Sequence, residues 1–252
     1  MNFRAFPATL ACVCAPSALA QIVVDGTAEP AYGNAVLVQQ IGTGFGDAVQ
    51  GNRAGPCNGS ELDGAFGVID TAGGYLYLVL AGNLETNFNK LEVFIDCAAG
   101  GQNQIRGNNP DVDFNGLNRM GTDPANPVVS PGLKFDAGFS SDFYLTCTMG
   151  LPNNQPPFTL YANIAQMLTD GGGSGRYIGS SAADATTGAT LINDTTDGVQ
   201  VSVDNSNIGG VNGSSGGESS GAGVRTGIEI RLPLALIGYS SGPIKVLSLI
   251  HI

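Results

Sequence analysis

The chain has no tryptophan and a single histidine, His251, next to the last residue. A Ser-His-Asp or Cys-His arrangement therefore has no base within the body of the sequence. Tryptophan is a frequent stacking platform for sugar rings, so any sugar binder built here must use Tyr or Phe instead. No Cys-x-x-Cys pair occurs, which leaves zinc and thioredoxin-type sites without support. Long apolar runs are also missing. The best candidate for a membrane span, from Ile228 to Ile237, is interrupted by Glu229, Arg231 and Pro233. Charged residues make up only 12% of the chain and are mostly acidic, giving a formal net charge of −11. Such a surface repels phosphate backbones and argues against a nucleic-acid partner. Extended helix-forming runs of Ala, Glu, Lys and Leu are scarce.

What remains is a composition of short strands and turns. Hydrophobic residues reach 42%, enough for a real core, and 38 of the 252 residues are Gly. Residues 1–20 read as a secretory signal peptide. Arg4 gives the positive end, Ala5 to Ala15 the apolar stretch, and Ala18-Leu19-Ala20 the small-x-small cleavage pattern. Cleavage before Gln21 places the mature chain, 21–252, outside the cytoplasm, extracellular or on the cell surface. Removal of the signal takes Cys12 and Cys14 with it and leaves Cys57, Cys97 and Cys147. An oxidising compartment then allows one disulfide, for which Cys97 and Cys147, each at the end of a strand pattern, are the favoured pair. Buried free thiols are the alternative.

The strand pattern is clearest in the middle and late parts. Ala65 to Asp70 and Tyr75 to Ala81, separated by Thr71-Ala72-Gly73-Gly74, predict a hairpin. In Lys90 to Asp96, Leu91, Val93 and Ile95 face one way and Lys90, Glu92 and Asp96 the other. Phe94 falls on the polar side, so that side should be covered by something. Further strands are predicted at Asp142 to Thr148, Phe158 to Ile164, Val199 to Val203, Ile228 to Leu232 and Ile244 to Leu249. One helical turn is expected within Phe114 to Met120. Residues 42–64, Gly179 to Thr187 and Gly209 to Gly223 read as loops. About ten short strands without a long amphipathic helix predict an all-β chain, a single antiparallel β-sandwich with long Gly/Ser/Asn-rich loops.

Two loops hold candidate ligand chemistry. Asp111-Val112-Asp113-Phe114-Asn115-Gly116 matches the front half of a calcium loop, with Asp111, Asp113 and Asn115 as oxygen donors and Gly116 allowing the sharp turn. The twelfth position is Thr122, not the Glu of an EF-hand, and an Asp/Asn-rich turn held by its own hydrogen bonds explains the same residues. The second loop, Asn83 to Asn89, offers amides at Asn83 and Asn87 beside Phe88, a set suited to a sugar or to a plain turn.

These elements also carry a resemblance. Val24-Asp25-Gly26-Thr27-Ala28-Glu29-Pro30-Ala31-Tyr32 resembles the opening of family-9 carbohydrate-binding modules and DOMON-like domains. Val93-Phe94-Ile95-Asp96 is similar to their central strand, and Gly227 to Pro233 to their late strand. The whole also resembles exported bacterial proteins of PEP-CTERM type. The likeness implies a jelly-roll-like sandwich, calcium in some members, and Tyr32 standing where those modules place a sugar-stacking Trp. The final Leu247-Ser248-Leu249-Ile250-His251-Ile252 resembles translated sequencing-adaptor sequence, which would make the reading frame a truncated one.

The function expected from all this is a secreted, non-catalytic carbohydrate-binding or adhesion/matrix module, with polysaccharide or a cell-surface matrix as partner. A carboxylate-based hydrolase, for which Asp96, Asp111 and Asp142 are candidates, and a purely structural surface-layer component are the alternatives.

Overall fold

The computed structural model describes residues 21–40, 60–123, 125, 131–207 and 221–251. The signal segment, Cys57 and most of the Gly209 to Gly223 loop lie outside them.

Among the described residues eleven strands form two antiparallel sheets. The six-stranded sheet has the order β1 (Leu37–Val38), β2 (Glu61–Asp70), β3 (Tyr75–Asn83), β10 (Gly227–Pro233), β9 (Gln200–Val203) and β8 (Thr190–Asn193). The five-stranded sheet has the order β11 (Lys245–His251), β4 (Lys90–Asp96), β5 (Phe143–Gly150), β6 (Thr159–Gln166) and β7 (Gly175–Ala182). The alternation read in the sequence sets the inner faces. Leu76, Leu78 and Leu80 of β3 and Ile228, Ile230 and Leu232 of β10 meet Leu91, Val93 and Ile95 of β4 and Leu145 and Cys147 of β5 in one apolar core. The hairpin β2–β3 forms with Asp70 paired to Tyr75, as the Gly-bearing turn predicts. The helical turn is α1 (Gly116–Arg119).

Three readings are corrected. Gly179 to Thr187 is not simply a loop, because β7 runs through Ala182 and pairs along β6. Its small residues have weak strand preference, and pairing to β6 overrides that. The start of the 42–64 loop region ends sooner than read, since Glu61-Leu62-Asp63-Gly64 belongs to β2, with a bulge between Leu62 and Gly64. The disulfide does not form. Cys97 and Cys147 are free and buried. In the β4–β5 register Ile95 faces Phe143 while Leu91 faces Cys147, so the two cysteines sit at opposite ends of the pair, beyond the reach of an S–S bond.

Both sheets carry an extra layer on their outer faces. On the six-stranded sheet, Val24, Ala28 and Tyr32 of the first segment pack on Phe66, Tyr77, Val79 and Ala81. On the five-stranded sheet, the connection from 98 to 141 lays Ile105, Val112, Leu117 and Phe135 over Phe94, Tyr144, Ala165 and Met167. This is the cover that Phe94 called for: its side chain is fully buried, with Phe135 at 5.0 Å and Tyr144 at 5.4 Å between ring centroids.

Candidate functional site

The layer over the five-stranded sheet is built from amides. Single bridges Gln102↔Ser141, Gln104↔Lys134 and Arg106↔Thr122 hold residues 102–106 extended. Ile105 points down into the apolar layer. Gln102 donates to Asn109 Oδ1 at 2.6 Å and to the Leu168 carbonyl at 2.7 Å, and Asn109 donates back to Gln102. Asn103 donates to the carbonyls of Asp136 and Phe139 at 3.0 and 2.7 Å. Satisfying buried backbone carbonyls with side-chain amides is what lets an irregular segment cover a sheet.

The groove left above these residues has a volume of about 880 Å³. Gly100 and Gly101 expose backbone along one side, with φ of 121° and 70°, values that suit glycine.

 Gly101 itself sits at φ 70°, and a Cβ there would meet the Ser141 and Ser140 carbonyls at 2.6 and 2.7 Å. Asn103, Gln104, Asn108, Ser140 and Thr169 add amides and hydroxyls, and Arg106 the one formal charge among the described lining residues. Its Nε donates to Asn108 Oδ1 at 3.2 Å, and its two terminal nitrogens bond no other described residue. Among the described residues no carboxylate lines the groove, although the chain as a whole is strongly acidic. A second cavity, about 590 Å³, opens between the sheets at the β2–β11 edge. It is apolar, because the inner face of β2 there carries only Ala65, Gly67 and Ile69 opposite Leu80, Leu78 and Leu76.

The residues singled out in the sequence do not meet in either place. Tyr32 is 5% exposed, with its hydroxyl donating to Glu229 at 2.6 Å. It belongs to the packed layer and offers no face to a sugar, which corrects the role implied by the resemblance. Asn83 is fully buried at the end of β3, so it too is unavailable as a surface ligand group. Asn87 and Phe88 are exposed, Phe88 by 47%. Their loop is held from within, Asn87 and Asn89 both donating to Glu85.

In the calcium-like loop, the Asp113 carboxylate is ion-paired with Lys90. Asn115 accepts from Asn118 at 2.7 Å, and Asp111 is exposed. Among the described residues no three His, Cys, Asp or Glu side chains gather around one point. None of the acids considered for hydrolysis is a lining residue of the groove, although Asp96 accepts the Ser140 N–H at 3.2 Å beside it. Asp142 accepts the backbone N–H groups of Cys97 and Ala98 at 2.8 Å each, and Asp96 pairs with Lys245 at 3.0 Å.

No protein-family model, curated protein or solved structure matches this chain.

Two buried carboxylates have a structural part. Glu229 on β10 accepts from Tyr32 and from the backbone N–H groups of Asp25 and Gly26 at 2.8 and 2.9 Å. Burial pushes its carboxyl above the usual range, and those hydrogen bonds pull back against it. Glu92 on β4 is likewise raised by burial and opposed by its hydrogen bond from Tyr144. Burial also raises both thiols, that of Cys97 to about 12.

Sequence reasoning missed the amide groove altogether. Asn103, Arg106 and Asn108 lie in a stretch that read as a polar connection, and only the bridges to residues 122, 134 and 141 give it a shape. The one available signal was Phe94, whose need for cover implied that the connection folds back.

Proposed function

We propose that this chain is an exported, non-catalytic β-sandwich that binds polysaccharide, with the amide groove as its binding surface. The groove carries this reading. Its described residues present amides, hydroxyls, glycine backbone and one guanidinium, without a carboxylate among them. That set suits a ligand made of hydroxyl groups, each of which both donates and accepts. A net charge of −11 disfavours a polyanion and favours an uncharged glycan. The secretory signal and the resemblance to carbohydrate-binding modules point the same way. A glycan array followed by calorimetric titration tests it. Wild type should bind at least one neutral polysaccharide, and Arg106→Ala should weaken that binding about tenfold, the loss of one charge-assisted contact. An array on which the wild-type protein binds no glycan would overturn the reading.

A further inference from the structure

The 98–141 layer covers only part of the five-stranded sheet, the part around Phe94, Tyr144 and Ala165. The neighbouring rows of the same face run Lys90–Thr148–Tyr161–Ser180 and Glu92–Thr146–Asn163–Tyr177 across β4, β5, β6 and β7. A bulge in the β6–β7 pair, between Ala162 and Asn163, sends Ile178 into the core while Tyr177 stays on the outer face. Tyr177 is 52% exposed. Tyr161 lies diagonally from it on β6, roughly 8 Å away for a pair of this kind.

Asn163 lies directly opposite Tyr177 and two residues after Tyr161 on the same face of β6. Although the residue is only 9% exposed, its amide is not a buried group lacking a partner. The amide therefore reaches the surface, where it can hydrogen-bond a ligand or solvent group. At the other end of the first row, Lys90 is tied to Asp113. That pair anchors a turn in which Asp113, Phe114 and Asn115 all have left-handed backbone, with φ of 52°, 53° and 64°. Phe114 at its tip is 89% exposed. The two charges within these rows are both engaged. Lys90 and Asp113 neutralise each other, and Glu92 is buried against Tyr144.

We infer that this strip is a second glycan subsite, in which Tyr161 and Tyr177 stack on the pyranose rings of an uncharged polysaccharide while the Asn163 amide hydrogen-bonds a hydroxyl. The inference rests on the polysaccharide reading above and extends it from one groove to a stacking surface. Aromatic rings attract the C–H faces of sugars, and an amide beside two rings fixes the orientation of the chain. Phe114 stands at the β4 end of the same row, where a longer chain would reach it.

The test uses the full mature chain with cellohexaose, laminarihexaose, xylohexaose and mannohexaose as probes. Calorimetry reads affinity, and tyrosine emission, unmasked because the chain has no tryptophan, is assigned to the site by its loss in Tyr177→Phe and Tyr161→Phe among the seven tyrosines. Tyr177→Ala and Tyr161→Ala should each weaken binding about tenfold, whereas Tyr177→Phe and Tyr161→Phe, which keep the ring, should stay close to wild type. Tyr177 is exposed enough that its Ala variant should melt as wild type does, which separates lost contact from lost fold. Binding by wild type that is lost in Arg106→Ala but unchanged in both tyrosine→Ala variants overturns the second subsite and leaves the groove standing. Failure of wild type to bind any of the probes or their parent polymers overturns both.

Discussion

Tyr32→Phe isolates the bond that ties the first segment to the sandwich. The tyrosine hydroxyl donates to Glu229 at 2.6 Å, and Glu229 is fully buried. Phe at this position keeps the edge-to-face contact with Phe66, whose centroid lies 6.5 Å away. The substitution therefore removes one hydrogen bond to a buried carboxylate, worth about 1.5–3 kcal/mol. For a domain of this size that corresponds to a fall in Tm of about 3–10 °C. The pH dependence carries the sharper test. Glu229 already has a raised pKa from burial, and the tyrosine bond lowers it. Losing that bond raises the folded-state value further while the unfolded value stays put. The variant's penalty must then grow as pH rises through the Glu229 titration, and shrink on acidification once the carboxyl is protonated in both proteins. Urea unfolding at pH 7 and at pH 4 measures both effects. A penalty under about 0.5 kcal/mol at pH 7, or one that is larger in acid, would refute this account of the lock.

Three other outcomes follow from specific contacts. Arg176 on β7 holds Asp194, at 2.6 Å, and Asp197, so it ties one sheet to the strand at the edge of the other. Arg176→Ala should cost about 1–2 kcal/mol in urea unfolding, because it strips a partner from a nearly buried carboxylate. Burial would raise the Asp194 carboxyl, but the Thr196 N–H, Asp197 and Arg176 hold it at about 2. Its stabilising contribution should therefore be complete above pH 4 and disappear as pH falls toward 2, a loss the Arg176→Ala variant should show less of. With Cys12, Cys14 and Cys57 replaced by Ser, a thiol reagent should find no fast-reacting group in the native protein and two after denaturation, since Cys97 and Cys147 are buried with raised pKa values. Finally, with the Lys90 ammonium seated on Asp113, millimolar calcium should leave Tm unchanged, and Lys90→Met should make Tm rise with calcium if Asp111, Asp113 and Asn115 form the cation loop that the sequence suggests.

The strands were legible where one face is apolar and the other is not. Leu91, Val93 and Ile95 alternate with polar neighbours because β4 is central and buried on one side by the core. β7 was not legible, since Gly175, Gly179, Ser180 and Ser181 give no periodic signal and the strand exists through its ladder to β6. The two family-like motifs, residues 24–32 and 227–233, could be seen but not connected. Their meeting depends on Glu229, which looks like an outward residue of an alternating strand and is in fact the buried acceptor for the opening segment. The same assumption, that a strand's second face is solvent, hid the tyrosine strip: Tyr161 and Tyr177 stand 16 residues apart in the sequence and become neighbours only through the β6–β7 register.

The two outer layers explain why the candidate surface lies where it does. A sandwich needs only its inner faces covered, so a second layer on an outer face is an added structure with its own conformational cost. On the six-stranded sheet that layer is short and locked, with Arg225 donating to the Ala28 carbonyl at 2.6 Å and lying 4.7 Å from the Phe66 ring centroid. On the five-stranded sheet the layer is longer, carried by amides, and reaches β7 only at its first residue, Gly175, against Pro110 and Val112. The first arrangement spends the Arg225 guanidinium on the carbonyls of its own segment, Ala28, Glu29 and Gly33. The second keeps the Arg106 guanidinium and several amides along an open groove, with the Asn163 amide on the uncovered rows. Accessible amides and a guanidinium are thus offered on the face of the five-stranded sheet, and a ligand rich in hydroxyls is the partner that suits them.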